Sequence, residues 1–308
     1  MDRHELAWAA GFFDGEGWAG KSTRGVRAQI NQAGPDRIPA VLVRFQAALG
    51  GLGRIGGPTR EPKRKDMYRW IVSSRDEVAL LLQLVKPWLG PVKLAQFARA
   101  TGLDVSVAQP RTGDDEWRAW AAGLFDGEGC SALLRHRTHP GYKTGELSVT
   151  QSSRVGSPEV LRRFSVVVGA GYISGPYPQR NATMDVFRWK VAALVDVESV
   201  IAELWPWLGE VKRAQAQRVL DVLHAQPKLP RGNPEWGNRK THCINGHEYA
   251  TSRIRPFVGR GKNEKRRDSE QCLTCLRDYA RKQRQKKRSV VDDDRRSISE
   301  AMPGYLLK

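Results

Sequence analysis

AWAAGFFDGEG occupies residues 7–17, and AWAAGLFDGEG occupies residues 119–129. The two stretches differ at a single place, where Phe12 is replaced by Leu124. Eleven residues do not recur in this way by chance, and such a repeat indicates a duplicated structural unit. The Ala-Ala-Gly in the middle of each stretch lets two helices approach closely, because no bulky side chain separates their backbones. We therefore expect the two stretches to pair and to bring Glu16 and Glu128 together.

The repetition continues beyond the two stretches. Gln32 and Gln151 are 119 positions apart, whereas Glu16 and Glu128 are 112 apart, so the second copy carries seven extra residues near 135–143. We expect these residues to lengthen a hairpin. The further matched segments are Ile30-Asn31-Gln32 with Val149-Thr150-Gln151, Arg44-Phe45 with Arg163-Phe164, Tyr68-Arg69-Trp70 with Phe187-Arg188-Trp189, and Pro87-Trp88-Leu89-Gly90 with Pro206-Trp207-Leu208-Gly209.

Each copy reads as helix, hairpin, helix, hairpin, helix, which predicts an α/β (α+β) fold with antiparallel sheets. Side chains alternate between the two faces of a strand, so an apolar face packs on the core and a polar, basic face remains open. The residues expected on the inner face are Ala28, Ile30, Gln32, Tyr68, Trp70, Val72, Leu147, Val149, Gln151, Phe187, Trp189 and Val191. The residues expected on the open face, whose polar and basic character suits contact with a nucleic acid, are Arg27, Gln29, Asn31, Arg69, Ser148, Thr150 and Arg188.

The charge of the chain points to a polyanionic partner. The 308 residues contain 51 Lys and Arg against 33 Asp and Glu, a formal charge of +18. An anionic membrane is the competing partner, but no segment approaches the roughly 18 apolar residues of a spanning helix. The N-terminus lacks the basic-then-apolar order of a signal peptide. We therefore expect an intracellular, cytoplasmic protein that binds nucleic acid and no membrane.

The paired glutamates suggest a metal site. Two carboxylates that converge at helix C-termini repel each other and face the negative ends of the helix dipoles. A hard divalent cation between them relieves both effects, which favours Mg²⁺. Metal ions at such a site activate water and stabilise the oxygens of an in-line phosphodiester displacement. The pattern predicts a nuclease.

AAGFFDGEG and AAGLFDGEG resemble the two motifs of single-chain LAGLIDADG homing endonucleases, and the likeness covers residues 1–225. It implies two αββαββα repeats with saddle-shaped sheets, related by a pseudo-two-fold axis through the motif helices. It also implies a monomer that cleaves duplex DNA across the minor groove at a long, asymmetric target and leaves 3′ overhangs.

The same resemblance implies roles for six residues. Glu16 and Glu128 match the metal-binding acid of the motif, which in the family is often Asp. Gln32 and Gln151 match a glutamine that organises solvent, and Lys93 and Lys212 match a basic residue that follows the Pro-aromatic-Leu segment.

Asp14 and Asp126 are expected to hydrogen-bond at the helix ends. Beside Leu at helical spacing, the repeated tryptophans are expected in the core rather than stacked on bases: Trp8, Trp88, Trp120 and Trp207.

The C-terminal region carries a second metal signal. Cys243-x3-His247 and Cys272-x2-Cys275 offer three thiolates and an imidazole, which suit a structural Zn²⁺ ion, with His242 as an alternative to His247. A helix-prone basic stretch follows, and Arg281, Lys282 and Arg284 are expected to contact phosphates. The lone Cys130 is expected to be a small packed residue.

These signals divide the chain into six segments. Residues 1–103 and 117–225 are the two repeats, and 104–116 joins them. The C-terminal segments are a second linker at 226–240, a zinc-binding basic module at 241–288 and a disordered tail at 289–308.

Three other readings compete with the nuclease. The first is a non-cleaving LAGLIDADG-type nucleic-acid-binding protein, such as an RNA maturase or a transcription regulator, but both acids are retained. The second is an intein, which is disfavoured by a Met start and by the lack of a His-Asn splice junction at the end. The third is a protein that coats nucleic acid, which would not need duplicated acids.

Overall fold

The structure is a computed structural model, which describes residues 1–23, 25–34, 37–60, 65–106, 113–136, 141–179, 183–227, 245, 247–248, 254–259, 267–282 and 285. It divides into two compact units, Met1–Pro227 and Lys228–Lys308. Several predicted features lie outside the described residues: the part of the linker 226–240 that follows residue 227, Cys243, His242, Arg284 and the tail 289–308.

The first unit contains both repeats. The first repeat consists of α1 (Arg3–Glu16), β1 (Gly17–Ser22), β2 (Gly25–Ala33), α2 (Ala40–Ala48), β3 (Arg54–Thr59), β4 (Met67–Val72), α3 (Arg75–Val85) and α4 (Pro91–Thr101). The second consists of α5 (Asp114–Glu128), β5 (Gly129–Arg135), β6 (Lys143–Ser153), α6 (Glu159–Val168), β7 (Tyr172–Tyr177), β8 (Asp185–Val191), α7 (Leu194–Leu204) and α8 (Glu210–Ala225).

The α+β class is confirmed, and the two repeats have the same topology. Each forms a four-stranded antiparallel sheet, in the order β1-β2-β4-β3 and β5-β6-β8-β7. The predicted inner face is also confirmed: Ala28, Ile30, Trp70, Val149 and Trp189 are fully buried. Gln32 and Gln151 lie on the same face but are only half-buried, because they are near the ends of their strands. Alternating side chains thus give each sheet one face on the core and one face open.

Three details differ from, or add to, the predicted organisation. Each repeat ends in two helices rather than one, because Pro87 and Pro206 follow α3 and α7, and α4 and α8 begin anew a few residues later. Helix α5 begins at Asp114, within the predicted linker 104–116, and its acidic first turn suits a helix N-terminus. The seven extra residues do lengthen the β5–β6 hairpin, whose strands end at Arg135 and resume at Lys143.

Helices α1 and α5 form the centre of the first unit. A side chain at Gly11 would place its Cβ 1.8 Å from the carbonyl oxygen of Trp120, and one at Gly123 would lie 1.9 Å from the carbonyl oxygen of Trp8. Because neither distance leaves room for an atom, the two backbones are in direct contact at these glycines. The expected close pairing of the two motif helices is confirmed.

The second unit is small. It contains a two-stranded antiparallel sheet, β9 (Ile254–Gly259) and β10 (Arg267–Cys272), followed directly by a helix over residues 273–282, here α9. The helix predicted in the basic stretch is therefore present, and it begins at the Cys-x2-Cys segment. In the described part of the chain, no helix is both long enough and apolar enough to cross a membrane.

Candidate active site

Glu16 and Glu128 lie at the C-terminal ends of α1 and α5, where the two helices are still in contact. Each glutamate packs against the glycine that precedes the other one: a Cβ at Gly15 would lie 3.0 Å from Cγ of Glu128, and a Cβ at Gly127 would lie 3.0 Å from Cγ of Glu16. Both glutamates are half-buried. The structure therefore brings together the two acids that the repeat singled out.

The surroundings of the two glutamates disfavour two negative charges. Burial raises the pKa of Glu16, although a hydrogen bond with Gln32 and the charges of Lys93 and Lys212 oppose the shift. Burial, followed by the charge of Glu16, raises the pKa of Glu128 to about 7. Two acids that repel each other at helix C-termini form a site that a divalent cation would stabilise.

Lys93 and Lys212 flank the pair. Lys93, on α4, donates a hydrogen bond to the carbonyl oxygen of Gly17, and Lys212, on α8, donates one of 2.5 Å to the carbonyl oxygen of Gly129. Each lysine is thus held beside the residue that follows a glutamate. Burial lowers the pKa of both lysines, while the acids Glu16 and Glu128 act in the opposite direction.

Gln32 and Gln151 complete the predicted set. Their amides lower the pKa of Glu16 and Glu128, respectively, so each glutamine lies beside the glutamate of its own repeat. The buried Nε2 of Gln151 makes no hydrogen bond of normal geometry with the part of the chain that the structure describes. Besides its contact with Glu128, this NH₂ group can donate a hydrogen bond to a bound ligand or water. All six predicted residues therefore converge on one place.

Asp14 and Asp126 connect the two repeats, which the sequence did not reveal. The carboxylate of Asp14 accepts hydrogen bonds from the backbone amide of Gly90 (2.9 Å) and from Nε1 of Trp120 in the other repeat (3.0 Å). Asp126 accepts equivalent bonds from Gly209 (2.7 Å) and from Trp8 Nε1 (2.8 Å). Gly90 and Gly209 precede α4 and α8, so these aspartates fix the helices that carry the two lysines. The predicted hydrogen-bonding role is confirmed, with partners beyond their own helix ends.

Two arginines add further contacts between the repeats. Arg44 donates to the carbonyl oxygen of Trp207 (2.7 Å), and Arg163 donates to that of Trp88 (2.8 Å). Arg44 also lies 4.0 Å from the centre of the Trp8 ring, a cation–π contact. Trp8, Trp88 and Trp120 are buried and Trp207 is partly buried, which agrees with the core role predicted for the four tryptophans.

The buried aspartates should make stability depend on pH. Burial raises the pKa of both Asp14 and Asp126 to about 6, against 3.8 for an ordinary Asp. Because the folded state holds these protons more tightly than the unfolded chain, their contribution is fully present below about pH 4 and is lost as the pH rises through 6. The expected size is about 3 kcal/mol per carboxyl.

Chemical denaturation between pH 4 and 7.5 checks this expectation. The free energy of unfolding of the wild type, minus that of the Asp14→Asn/Asp126→Asn double variant, should fall over this range. A difference that stays constant, or rises with pH, would show that the two carboxyls are ionised throughout.

The open face of the first sheet is polar and basic, as predicted. Asn31 and Arg69 are exposed neighbours on β2 and β4, and Nε of Arg69 donates to Oδ1 of Asn31 (2.8 Å). Arg27 and Gln29 are half-buried, and their buried Nε and Oε1 atoms have no hydrogen-bond partner among the described residues. Trp18, which the sequence analysis overlooked, is 39% exposed and lies over Gly20 on this face.

The open face of the second sheet differs from the first. Arg188 is exposed and Thr150 is half-buried, but Ser148 is buried at 8%, because Cys130 and Lys190 flank it on the neighbouring strands. Its contact with DNA remains a prediction, made from a side chain that is largely covered. Cys130 is exposed rather than packed, because it follows Gly129 on the open side of β5. The two faces thus present different side chains at equivalent positions.

In the second unit, three of the predicted zinc ligands lie together. One ligand atom from each of His247, Cys272 and Cys275 falls within 4.8 Å of the others. The fourth predicted ligand, Cys243, and its neighbour His242 lie outside the described residues. Arg281 and Lys282 are exposed on α9.

No protein-family model matches the chain, and no curated protein matches its sequence. Several solved structures are similar to it. LAGLIDADG meganuclease I-AabMI bound to uncleaved DNA is 18% identical, with a TM-score of 0.49 over 73% of this chain and 92% of that one. LAGLIDADG homing endonuclease I-GzeII in complex with a DNA target is 13% identical, with a TM-score of 0.48 over 71% and 89%. I-SmaMI bound to an uncleaved DNA target in the presence of calcium ions is 13% identical, with a TM-score of 0.45 over 71% of this chain and 91% of that one. These are similarities of chain fold, and the case for an activity rests on the two glutamates and their surroundings.

Proposed function

We propose that the chain is a LAGLIDADG-type homing endonuclease that hydrolyses phosphodiester bonds on both strands of duplex DNA. The observation that carries the proposal is the convergence of Glu16 and Glu128 at the contact between two equivalent helices, with a lysine and a glutamine beside each. A protein that only binds nucleic acid has no use for two half-buried acids that oppose each other's ionisation. Such a costly arrangement is typical of a catalytic site.

The donor set fits Mg²⁺. Glu16 and Glu128 would hold the ion with carboxylate oxygens, the ligands that Mg²⁺ prefers, and water and phosphate oxygens would complete its shell. When bound, Mg²⁺ would lower the pKa of a coordinated water and stabilise charge on the phosphate. The half-burial of the glutamates keeps bulk water from screening their charges.

The other four residues would act on the phosphate and on the attacking water. Lys93 and Lys212 are cationic groups held by backbone carbonyls, and each would stabilise the negative charge that develops at one scissile phosphate. Gln32 and Gln151, each beside the glutamate of its own repeat, would orient a water molecule. The repeat supplies one such set for each DNA strand, and the resemblance to LAGLIDADG endonucleases implies cleavage across the minor groove with 3′ overhangs.

The two sheets would contact the DNA. The unpaired polar atoms of Arg27 and Gln29 and the exposed Asn31, Arg69 and Arg188 offer donors and acceptors to base edges and phosphates. Because Trp18 and Cys130 occupy equivalent positions, as do Asn31 and Thr150, the two half-sites would differ. The target would therefore be long and asymmetric, and one chain would bind it as a monomer.

A structural Zn²⁺ ion in the second unit is the second metal of the proposal. It would take no part in hydrolysis, because four protein ligands leave no position open for water.

Cleavage of a randomised duplex library tests the proposed activity. Purified protein is incubated with the library in Mg²⁺, in Ca²⁺ and without a divalent ion, and the cut ends are sequenced. We expect Mg²⁺-dependent double-strand breaks with 3′ overhangs at one family of asymmetric sites. Selective binding of a duplex without cleavage in Mg²⁺ or Mn²⁺ would instead support the non-cleaving maturase or regulator.

A further inference from the structure

We propose that a Zn²⁺ ion bound by His247, Cys272 and Cys275 fixes α9 for contact with nucleic-acid phosphates, and that Asp278 holds the coordinating imidazole from outside the ligand set. The inference concerns the second unit alone. It does not depend on whether the first unit cleaves DNA.

The positions of the three ligand atoms suit one tetrahedral ion. Nδ1 of His247 lies 3.2 Å from Sγ of Cys275 and 3.8 Å from Sγ of Cys272. Zinc bonds of about 2.3 Å to sulfur and about 2.0 Å to nitrogen place tetrahedral ligands at separations of this order. Thiolates and an imidazole are soft or intermediate donors, which favours Zn²⁺ over Mg²⁺. Cys243 remains the predicted fourth ligand.

The second ring nitrogen of His247, Nε2, lies near the carboxylate of Asp278. Nε2 of His247 lies 4.0 Å from Oδ2 of Asp278, one helical turn beyond Cys275. At this distance the carboxylate is within ion-pair range of the imidazole but beyond a hydrogen bond. A histidine that binds metal commonly donates its other N–H to a carboxylate, which fixes the ring and strengthens the ligand. The imidazole of His247 thus faces the two sulfurs on one side and this carboxylate on the other.

The second unit has reason to depend on a metal. Among its residues whose burial is described, Cys272 is the only buried one. Small protein units commonly gain much of their stability from cross-links such as a bound metal. The ligands lie where β10 ends and α9 begins, so an ion there would fix the direction of the helix relative to the β9–β10 hairpin.

The charge of this region indicates what α9 would bind. Residues 241–288 contain fourteen Lys and Arg against five Asp and Glu, so they carry +9 of the chain's net +18. Arg277, Arg281 and Lys282 are exposed on α9, and Arg277 and Arg281 are one turn apart on the same side of the helix. Phosphate oxygens of a nucleic-acid backbone match such a row of cations, and these contacts would carry no sequence information.

Metal content of the full-length protein tests the site. We expect one Zn²⁺ per wild-type chain and none in Cys275→Ser. Asp278→Asn should bind Zn²⁺ about 10- to 100-fold more weakly in competition with a chelator. Arg281→Gln is the matched control, because it removes the Arg281–Asp278 ion pair (3.2 Å) without touching His247. Wild-type protein without zinc, or with Cys272 and Cys275 joined in a disulfide under reducing conditions, would overturn the site, as would equal zinc affinities of Asp278→Asn and Arg281→Gln.

Binding to a duplex of unrelated sequence, without Mg²⁺, tests the role of the ion. Zinc-free Cys275→Ser should bind more weakly than wild type, with a shallower dependence of log K on log salt. The Arg277→Gln/Arg281→Gln/Lys282→Gln variant should retain zinc and lose about one unit of slope for each phosphate contact removed. An unchanged slope in both variants would overturn the role of α9. Because zinc content and non-specific binding are measured without cleavage, failure here is distinguishable from failure of the proposed nuclease.

Discussion

Glu16→Gln and Glu128→Gln are each expected to abolish double-strand cleavage while leaving DNA binding intact. Each change removes a negatively charged ligand and keeps the size of the side chain, so the proposed Mg²⁺ ion loses half of its protein carboxylates. The expected fall in cleavage rate is about 10³-fold or more, which corresponds to about 4 kcal/mol of transition-state stabilisation.

The same substitutions should stabilise the protein. Burial and the charge of Glu16 raise the pKa of Glu128 to about 7, so above neutral pH the folded state carries two acids that oppose each other. A neutral glutamine removes the repulsion and part of the desolvation cost. At pH 8 we therefore expect a higher melting temperature together with lost cleavage, the combination that marks a site built for function at the expense of stability.

Single-turnover cleavage and thermal melting measure the two effects. Glu210→Gln is the matched control, because it removes the same charge from an exposed position on α8. It should leave cleavage and melting close to wild type. If Glu16→Gln cleaves at the wild-type rate, the paired glutamates are not the metal site and the proposed mechanism fails.

The repeat made the centre of the fold predictable. A recurring Ala-Ala-Gly followed by an acid specifies close helix pairing, and the alternation Tyr68-Arg69-Trp70 specifies which side of a strand is buried. Both patterns depend on the size and polarity of individual side chains, which can be seen directly in the sequence. The six candidate catalytic residues converge for the same reason, since duplication fixes them at equivalent positions around the paired helices.

Contacts between the repeats were not predictable in the same way. Asp14 accepts a hydrogen bond from Trp120, 106 positions away, and nothing in the spacing distinguishes that partner from other tryptophans. The exposures of Ser148 and Cys130 were not predictable from the pattern, because burial on an open sheet face depends on the neighbouring strands. Ser148 is covered from the sides, whereas Cys130 is not. Alternation assigns a residue to a face, but tertiary packing decides how much of it reaches solvent.

Gly11→Ala is expected to destabilise the protein by more than about 3 kcal/mol, a large fraction of a typical folding free energy of 5–15 kcal/mol. The new methyl group would lie 1.8 Å from the carbonyl oxygen of Trp120 and 2.9 Å from the amide nitrogen of Leu124. Both are backbone atoms, so no rotation of a side chain relieves the clash. The helices α1 and α5 would have to separate.

That separation would spread to the site. It would lengthen the hydrogen bonds that join Trp8 to Asp126 and Trp120 to Asp14, and it would move Glu16 away from Glu128. Cleavage should therefore fall with stability in Gly11→Ala, whereas in Glu16→Gln cleavage falls and stability rises. Comparison of the two variants therefore distinguishes loss of the helix packing that positions the site from loss of a catalytic carboxylate.

Thermal and urea unfolding measure the loss, with Gly113→Ala as the matched control. Gly113 precedes α5 with φ −71°, and a Cβ there meets nothing within 4 Å among the described residues, so that change should cost no more than about 1 kcal/mol, the loss expected for alanine at a helix N-cap. In a helix free of clashes, Gly→Ala stabilises by about 1 kcal/mol, so a stabilising effect of Gly11→Ala would itself show that the clash is absent. If Gly11→Ala unfolds at or above the wild-type temperature, α1 and α5 do not pack backbone to backbone. The convergence of Glu16 and Glu128, which depends on that packing, would then lose its structural basis.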